Sequence, residues 1–371
     1  MNMHLHPGPR DDRVLYLGPE HRAKKLFLNP QDGETSNIKM KRGDATFWDK
    51  VYRDEITLTK KVIKYIGYVG FKGVYGCGYR RLDRALIEAL VERWRPETNT
   101  FHLPFGEMTV TLDDINVLWG LPVEGEALTG FESSSGYNER RKLCQDYLGF
   151  DTQSSDYKNN MIKMSTMIIF MLQNPISSQS TEEECIKRAR CVSFILCAKT
   201  VLADGNNAHA SLHLLDNLKD LKSSGQKSWG AALACLYREL SKGAKPDVVT
   251  MGGPMSLLQI WAWTRILPLA PRILDEKINW KEPYGARWAE HEVDGLGFIG
   301  QESMRMRNMG PDHYYNNFGG IQDMTAQLIG AVNQNDHPSY IQTNPINFET
   351  DNTATCTKTK YTWTWSKGVS G

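Results

Sequence analysis

Two histidines four residues apart, His209 and His213 in the string HASLH, have the spacing that sets two imidazoles on one helix face, as in a zinc pair. The Glu of the HExxH pattern is replaced by Ala210 and no third ligand is evident. Asp204, five residues upstream, suits a turn or a cap, so the structural reading of the pair is preferred to the metal one. Glycines 67, 70, 73, 76 and 78 run into Arg80, Arg81 and Arg84, where backbone amides and guanidiniums could hold a phosphate. The plainer expectation is a flexible connection into a helix. Cys185, Cys191 and Cys197 are spaced by six, about 240° around a helix, so they cannot converge on one ion. Asp113 and Asp114 are adjacent, about 100° apart on a helix, and suit its positive N-terminal end better than a shared proton.

Other catalytic signatures are missing. The chain has no GxxxxGK[ST], no GxGxxG after a predicted strand and no GxSxG. No cofactor is expected, and no catalytic or metal-ligating set is assigned.

The elements that would carry these residues are mostly helical. Leu82, Ala85, Leu86, Ala89, Leu90 and Trp94 form one stripe at helical spacing, and Pro96 stops that helix. Thr100–Thr111 reads as a β-hairpin. Thr111 should cap a short helix that Gly120 closes, with Leu112, Ile115, Leu118 and Trp119 on its buried side. Further helices are expected at 161–172, 182–202, 211–221, 228–240 and 254–266. Loops rich in Gly, Ser, Asn and Asp span 124–137 and 151–160. Near the C-terminus Tyr361, Trp363 and Trp365 alternate with Thr as a strand would. The fold class is mainly α, a multi-helical globular domain with a small β-hairpin around 100–111.

Over 371 residues, 40% hydrophobic and 23% charged residues support a buried core and exclude a wholly disordered chain. A net charge of +1 excludes a strongly basic nucleic-acid binder and an acidic tail. Charge is uneven, however. Residues 1–100 carry 19 Lys+Arg against 13 Asp+Glu, a net of +6, which could touch phosphate or simply form a solvated face. The longest apolar stretch, 166–172, is far too short to span a bilayer, and the N-terminus lacks the apolar core of a secretory signal. Seven scattered Cys without a CxxC pair fit free thiols in a reducing compartment. The chain is therefore expected to be intracellular and soluble.

The segment RLDRALIEALVERWRPETNTFHLPFGEMTVTLDDINVLWGLPVEG (81–125) resembles the signature of the plant mobile domain. HLLDNLKDLKSSGQKSWGAALACLYREL (213–240) and GGPMSLLQIWAWTRI (252–266) agree with it, and LYLGPEHRAKKLF (15–27) is a weaker match. The family positions are Arg81, Asp83, Phe101, His102, Leu103, Pro104, Gly106, Glu107, Thr109, Asp113, Asp114, Gly120, Leu121 and Pro122. Residues 1–45, rich in Pro, Gly, Asn and charge, read as a loosely ordered arm, and the resemblance implies the domain itself over 46–290 and a diverged Asn/Thr-rich tail over 291–371. It further implies a transposon-related nuclear factor that acts in transposon silencing, genome stability and meristem maintenance, with a phosphatase-like nuclear partner. Family members carry the labels aminotransferase-like and phosphatase 7 long form homolog. Neither activity transfers by motif: GDxHG, GDxVDRG and GNHE are absent, GNNAH at 205–209 lacks the Glu, and no lysine stands in a recognisable pyridoxal-phosphate context.

Three readings follow: a protein-interaction module, a DNA- or RNA-binding module of transposon origin, and an uncharacterised enzyme, the first preferred. The aromatic-rich helices suggest Trp229, Tyr237, Trp261 and Trp263 as partner-binding residues, because Trp and Tyr dominate binding hot spots. Trp261 and Trp263 lie about 200° apart on a helix, which makes one of them a candidate for the surface unless both pack between different neighbours.

Overall fold

The structure, a computed structural model, describes residues 14–24, 38–103, 106–130, 136–266, 269–271, 282–288, 354–359 and 362–367. Contacts divide the chain into two compact units, Met1–Tyr314 and Tyr315–Gly371.

The first unit is built mainly from helices around two that are enclosed over most of their length. One is α8 (Glu182–Leu196), which continues into a π-helical turn, Cys197–Val201. Thr181 starts it with a capping box: its hydroxyl accepts from Glu184 N while the Glu184 carboxylate accepts from Thr181 N. Every residue from Arg188 to Val201 is buried, so the stretch is a central post without a polar face. The other is α11 (Met255–Arg265), buried on every side from Met255 to Trp263. A helix enclosed this way has no surface side, whatever angle separates two of its aromatics.

The remaining helices surround these two: α1 (Ala45–Tyr52), α2 (Lys60–Tyr68), α3 (Lys72–Cys77), α4 (Arg84–Arg93), α5 (Leu112–Trp119), α6 (Tyr137–Leu143), α7 (Met164–Gln173), the single turn α9 (Leu221–Ser224) and α10 (Ala231–Gly243). α2 packs along α8, and α4 and α5 pack on α11. After the short strand β1 (Lys39–Met40), strand β2 (Trp94–Arg95) joins the hairpin β3 (Thr100–Leu103) and β4 (Gly106–Met108) in an antiparallel sheet, with Trp94 opposite Phe101 and His102 opposite Glu107. Thr111 and Asp114 form a reciprocal capping box on α5, and Gly120 closes it at φ 64°. Local chemistry accounts for each of these boundaries.

Several expectations need correction. The segment 211–221 is not one α-helix. A strand, His209–Ser211, pairs with Met161–Lys163, a 3-10 helix runs over Leu212–Leu218, and α9 follows after Asp220, which caps it. Leu112 faces outward at 43% exposed, while Ile115, Leu118 and Trp119 are buried. The arm expected to be loosely held is docked where it is described. Leu15, Ala23 and Ile38 are buried, and Lys39–Met40 pairs in parallel with Thr250–Met251. Arg22 N donates to Ala244 O and Arg22 Nη1 to Gly243 O, which ties the arm to the end of α10.

The glycine stretch before Arg80 is not a flexible connection. It holds the end of α2 and all of α3, and its glycines let backbones meet. A Cβ on Gly73 would lie 2.1 Å from Trp119 O, whereas one on Gly76 would meet nothing within 4 Å.

In the second unit, Ala354–Thr359 and Thr362–Lys367 form an antiparallel hairpin with Cys356 opposite Trp365, in agreement with the alternation read there. Tyr361 lies outside the described residues.

Candidate functional site

The family block anchors α11 to the rest of the unit. Asp83 caps α4 by accepting from Leu86 N at 3.0 Å, and its own N–H donates to Gln259 Oε1 at 2.7 Å. Gln259, fully buried, also donates from Nε2 to Arg81 O. Phe101 packs between Trp94 and Trp261, ring centroids 4.9 and 5.3 Å away. Asp114, beyond its capping role, accepts from Arg265 Nη2 at 2.5 Å and Nε at 3.1 Å, fastening α5 to the end of α11. Asp113 stays exposed in the first turn. Leu103 and Leu121 are buried, and Pro122 O accepts from Trp229 N at 2.8 Å. Pro104 lies outside the described residues.

The outer face of the same hairpin carries His102, Glu107, Thr98, Thr100 and Thr109. His102 Nε2 lies 3.5 Å from Glu107 Oε2 and 3.4 Å from Thr98 Oγ1. A nucleophile–base–acid relay needs one partner on each ring nitrogen, and here both crowd Nε2. Thr100 donates to Glu107 and Thr109 to Asn99 O, so these hydroxyls brace the sheet. Gly106, at φ 136°, turns the chain into β4.

Arg80, Arg81 and Arg84 do not converge on an anion. Arg80 is buried and its Nη2 donates to Cys77 O at 3.1 Å, at the end of α3, and to Gly285 O. Burial pulls its pKa down to about 10. Arg81 and Arg84 are on the surface, where Arg84 lies 3.8 Å from Glu88. Arg80 belongs to a set of buried guanidiniums that grip the carbonyl ends of helical segments. Arg188 Nη2 donates to Met171 O at 3.1 Å and to Asn174 O, at the end of α7. Arg190 reaches Leu218 O, Lys219 O and Tyr147 O. Cations at helix C-termini meet the negative end of the helix dipole. Part of the basic excess in the first hundred residues is likewise buried: Arg22, Arg80, Arg93 and Arg95.

Three of the four aromatic partner-binding candidates are enclosed in the core. Trp229, Trp261 and Trp263 are each 0% exposed. Trp229 packs on Phe71 at 4.4 Å and Trp263 on Trp288 at 5.4 Å. The 200° between Trp261 and Trp263 directs them to different buried neighbours. Tyr237 is half-buried, with its hydroxyl donating to Val110 O and its ring 5.0 Å from Trp94.

The histidine pair fails as a helix-face pair, because His209 is on a strand and His213 in the 3-10 helix beyond it. His213 Nδ1 bonds Ser211 Oγ at 2.6 Å. Lys199, buried, donates to Asn206 O, His209 O and Asp204 Oδ1, so all three ammonium protons are engaged. The six described thiols are buried, and burial pushes Cys77 and Cys191 up to about 12. Among the described residues no group of three His, Cys, Asp or Glu could hold a metal, and no helix is long and apolar enough to cross a membrane.

One surface feature escaped the sequence reading. On α2, Lys60, Lys61 and Lys64 are exposed and that helix carries no acidic residue. Lys64 Nζ lies 5.8 Å from the Tyr68 ring centroid, and Lys222 Nζ of α9 lies 5.8 Å from the same ring. Lys61, Lys64 and Lys222 all act on Glu182, whose carboxylate accepts from Tyr65 OH and is held below the usual range, that bond first and the lysines after it. The KKxxKY spacing on α2 was visible in the sequence, but the arrival of Lys222 was not.

Fold and interior together define a helical protein whose buried ionisable groups hold its elements in place. The chain belongs to the plant mobile domain family, whose model matches residues 70–314. That match starts later and runs further than the 46–290 expected, and it ends where the first compact unit ends. The chain is similar to "Serine/threonine-protein phosphatase 7 long form homolog" of Arabidopsis thaliana, 35% identical over 300 residues, 78% of this chain and 21% of that protein. It is similar also to "Protein MAIN-LIKE 2", 31% identical over 290 residues, covering 78% of this chain and 41% of the relative. "Protein MAINTENANCE OF MERISTEMS" is 32% identical over 207 residues, 56% of this chain and 42% of that protein, both from Arabidopsis thaliana. The chain thus spans less than half the length of each of these relatives. No solved structure matches it.

Proposed function

We propose that this chain is a non-catalytic nuclear protein that acts in meristem maintenance and transposon silencing by binding a phosphatase-like nuclear partner. The observation that carries the non-catalytic part is the commitment of the reactive side chains. Lys199 has no free proton donor, His102 has both neighbours on one nitrogen, and the described thiols are buried. The relatives' names, one of meristem maintenance and one of a phosphatase homologue, support the biological setting and the partner class.

The test is a tagged chain expressed in plant cells, imaged and then captured from nuclei with and without nuclease, with bound proteins identified by mass spectrometry. Nuclear signal with nuclease-resistant recovery of a phosphatase-like protein supports the proposal. Exclusion from the nucleus refutes it. So does turnover of p-nitrophenyl phosphate by the purified chain that a substitution at His102 or Lys199 abolishes.

A further inference from the structure

We propose that the lysine–tyrosine face formed by α2 and α9 is a contact for the phosphate backbone of duplex DNA, made without reading bases. This goes beyond the partner proposal and does not depend on it. Two separate elements bring Lys64 and Lys222 to one ring, each ammonium 5.8 Å from the Tyr68 centroid, and Lys61 joins them around Glu182. Lys60 extends the row along α2, and Lys72 follows its end, with its Cβ 3.8 Å from where a Cβ on Gly67 would lie.

The other carboxylates of the neighbourhood are engaged. Glu183 pairs with Lys187 at 2.7 Å, Glu184 completes the cap of α8, and Asp216 pairs with Lys219 at 2.7 Å. Asp220 accepts from Lys222 N and Ser223 N as the cap of α9. Lys61, Lys64 and Lys222 therefore share the carboxylate of Glu182, which Tyr65 also engages, and Asp220 acts on Lys222 besides.

The occupant follows from charge and geometry. Several ammoniums on rigid helical elements match a ligand with closely repeated negative charge, and duplex DNA carries one charge per about 1.7 Å of axis. The backbones approach closely: a Cβ on Gly225 would sit 2.0 Å from Tyr68 O, so only glycine lets α9 lie this near α2. Binding of single strands rests on aromatic rings free to stack bases, and the Tyr68 ring is already engaged by two ammoniums. Phosphate contact alone suits a duplex.

The test uses the full chain and a fluorescent random-sequence DNA duplex, with anisotropy read from about 50 to 200 mM salt. Binding should weaken with salt, with a log–log slope of about −3 if three phosphates are neutralised. A Lys61→Gln/Lys64→Gln/Lys222→Gln variant should melt like the parent, since all three side chains are exposed, yet lose at least about tenfold in affinity and most of that slope. The corresponding Lys→Arg variant should keep both. If the triple variant melts low, the single Lys61→Gln and Lys222→Gln variants carry the comparison, each expected to reduce the slope by about 1. No DNA binding by the parent, or undiminished binding by the Gln variants, overturns the proposal. Equal binding to polyglutamate, lost in the same variants, reassigns the face to an acidic protein and also overturns it. Tighter binding to duplex RNA than to DNA overturns the choice of DNA. Phosphatase-partner capture by the triple variant after nuclease treatment reads the other proposal separately.

Discussion

Arg190 tests whether the buried guanidiniums hold helix ends. It is 8% exposed on α8, and each of its three nitrogens donates: Nε to Leu218 O at 2.9 Å, Nη1 to Tyr147 O at 2.6 Å and Nη2 to Lys219 O at 3.0 Å. A hydrogen bond to a charged group contributes about 1.5–3 kcal/mol net, and a buried carbonyl left without a partner costs about 1–3 kcal/mol. Arg190→Met keeps the apolar stem and removes all three bonds. The Leu218 carbonyl then stays buried, while those of Tyr147 and Lys219, nearer the surface, recover water. After the gain from no longer burying a cation, the expected loss is about 3 kcal/mol. Arg190→Lys retains the charge but offers one nitrogen to carbonyls arranged around a planar fork, so it should lose about 2 kcal/mol. Guanidinium chloride unfolding at constant m measures both, and the order of stability should be Arg, then Lys, then Met. A Lys variant equal to the parent would show that charge alone suffices. A Met variant at least as stable as the parent would show that desolvation cancels the clamp, and would refute the reasoning.

Four further outcomes are expected. Trp261→Ala and Trp263→Ala should each lower stability by about 3–5 kcal/mol in thermal or denaturant unfolding, because each leaves a cavity against a different neighbour; a normal melt for either would place it outside the core. Gly73→Ala should destabilise by about 2 kcal/mol or more through the clash with Trp119 O, whereas Gly76→Ala should be neutral or stabilise by up to about 1 kcal/mol; equal effects in unfolding would remove the close-approach argument. His21 donates from Nε2 to Trp94 O and accepts at Nδ1 from Ala23 N, and burial, then Arg95, lowers its pKa from 6.5 to about 4. The unfolded chain therefore binds the proton first, so His21 contributes full stability above pH 6.5 and loses it as pH falls towards 4, up to roughly 3 kcal/mol; His21→Gln should flatten that part of the pH–stability curve. Chelator should leave the melting temperature unchanged, and about one zinc per chain that is lost in a His209→Ala/His213→Ala variant would reverse the reading of that pair.

What the sequence by itself determined lies within one or two turns of chain. Thr111, Asp114 and Gly120 bound α5 because a cap is a contact three residues long and a left-handed closing residue is strongly favoured as glycine. The Thr100–Thr111 hairpin and the mainly helical class were legible for the same reason: turn residues and hydrophobic period act locally. The tertiary structure decided the rest. The sequence assigns Asp114 to the helix dipole, and only folding brings Arg265 to it across 151 positions. Hydrophobic period gives the angle between Trp261 and Trp263 but not the number of neighbours around their helix, and full enclosure turned expected surface anchors into core. From the sequence Arg80 reads as an anion contact, and nothing marks Arg188 or Arg190, because a carbonyl at a helix end is invisible in a sequence that does not say which helix ends nearby. The Lys61–Lys64–Lys222 face was hidden likewise. Its charge on α2 was plain, but charges make a site only where their fields overlap, and the packing of α9 on α2 decides that overlap.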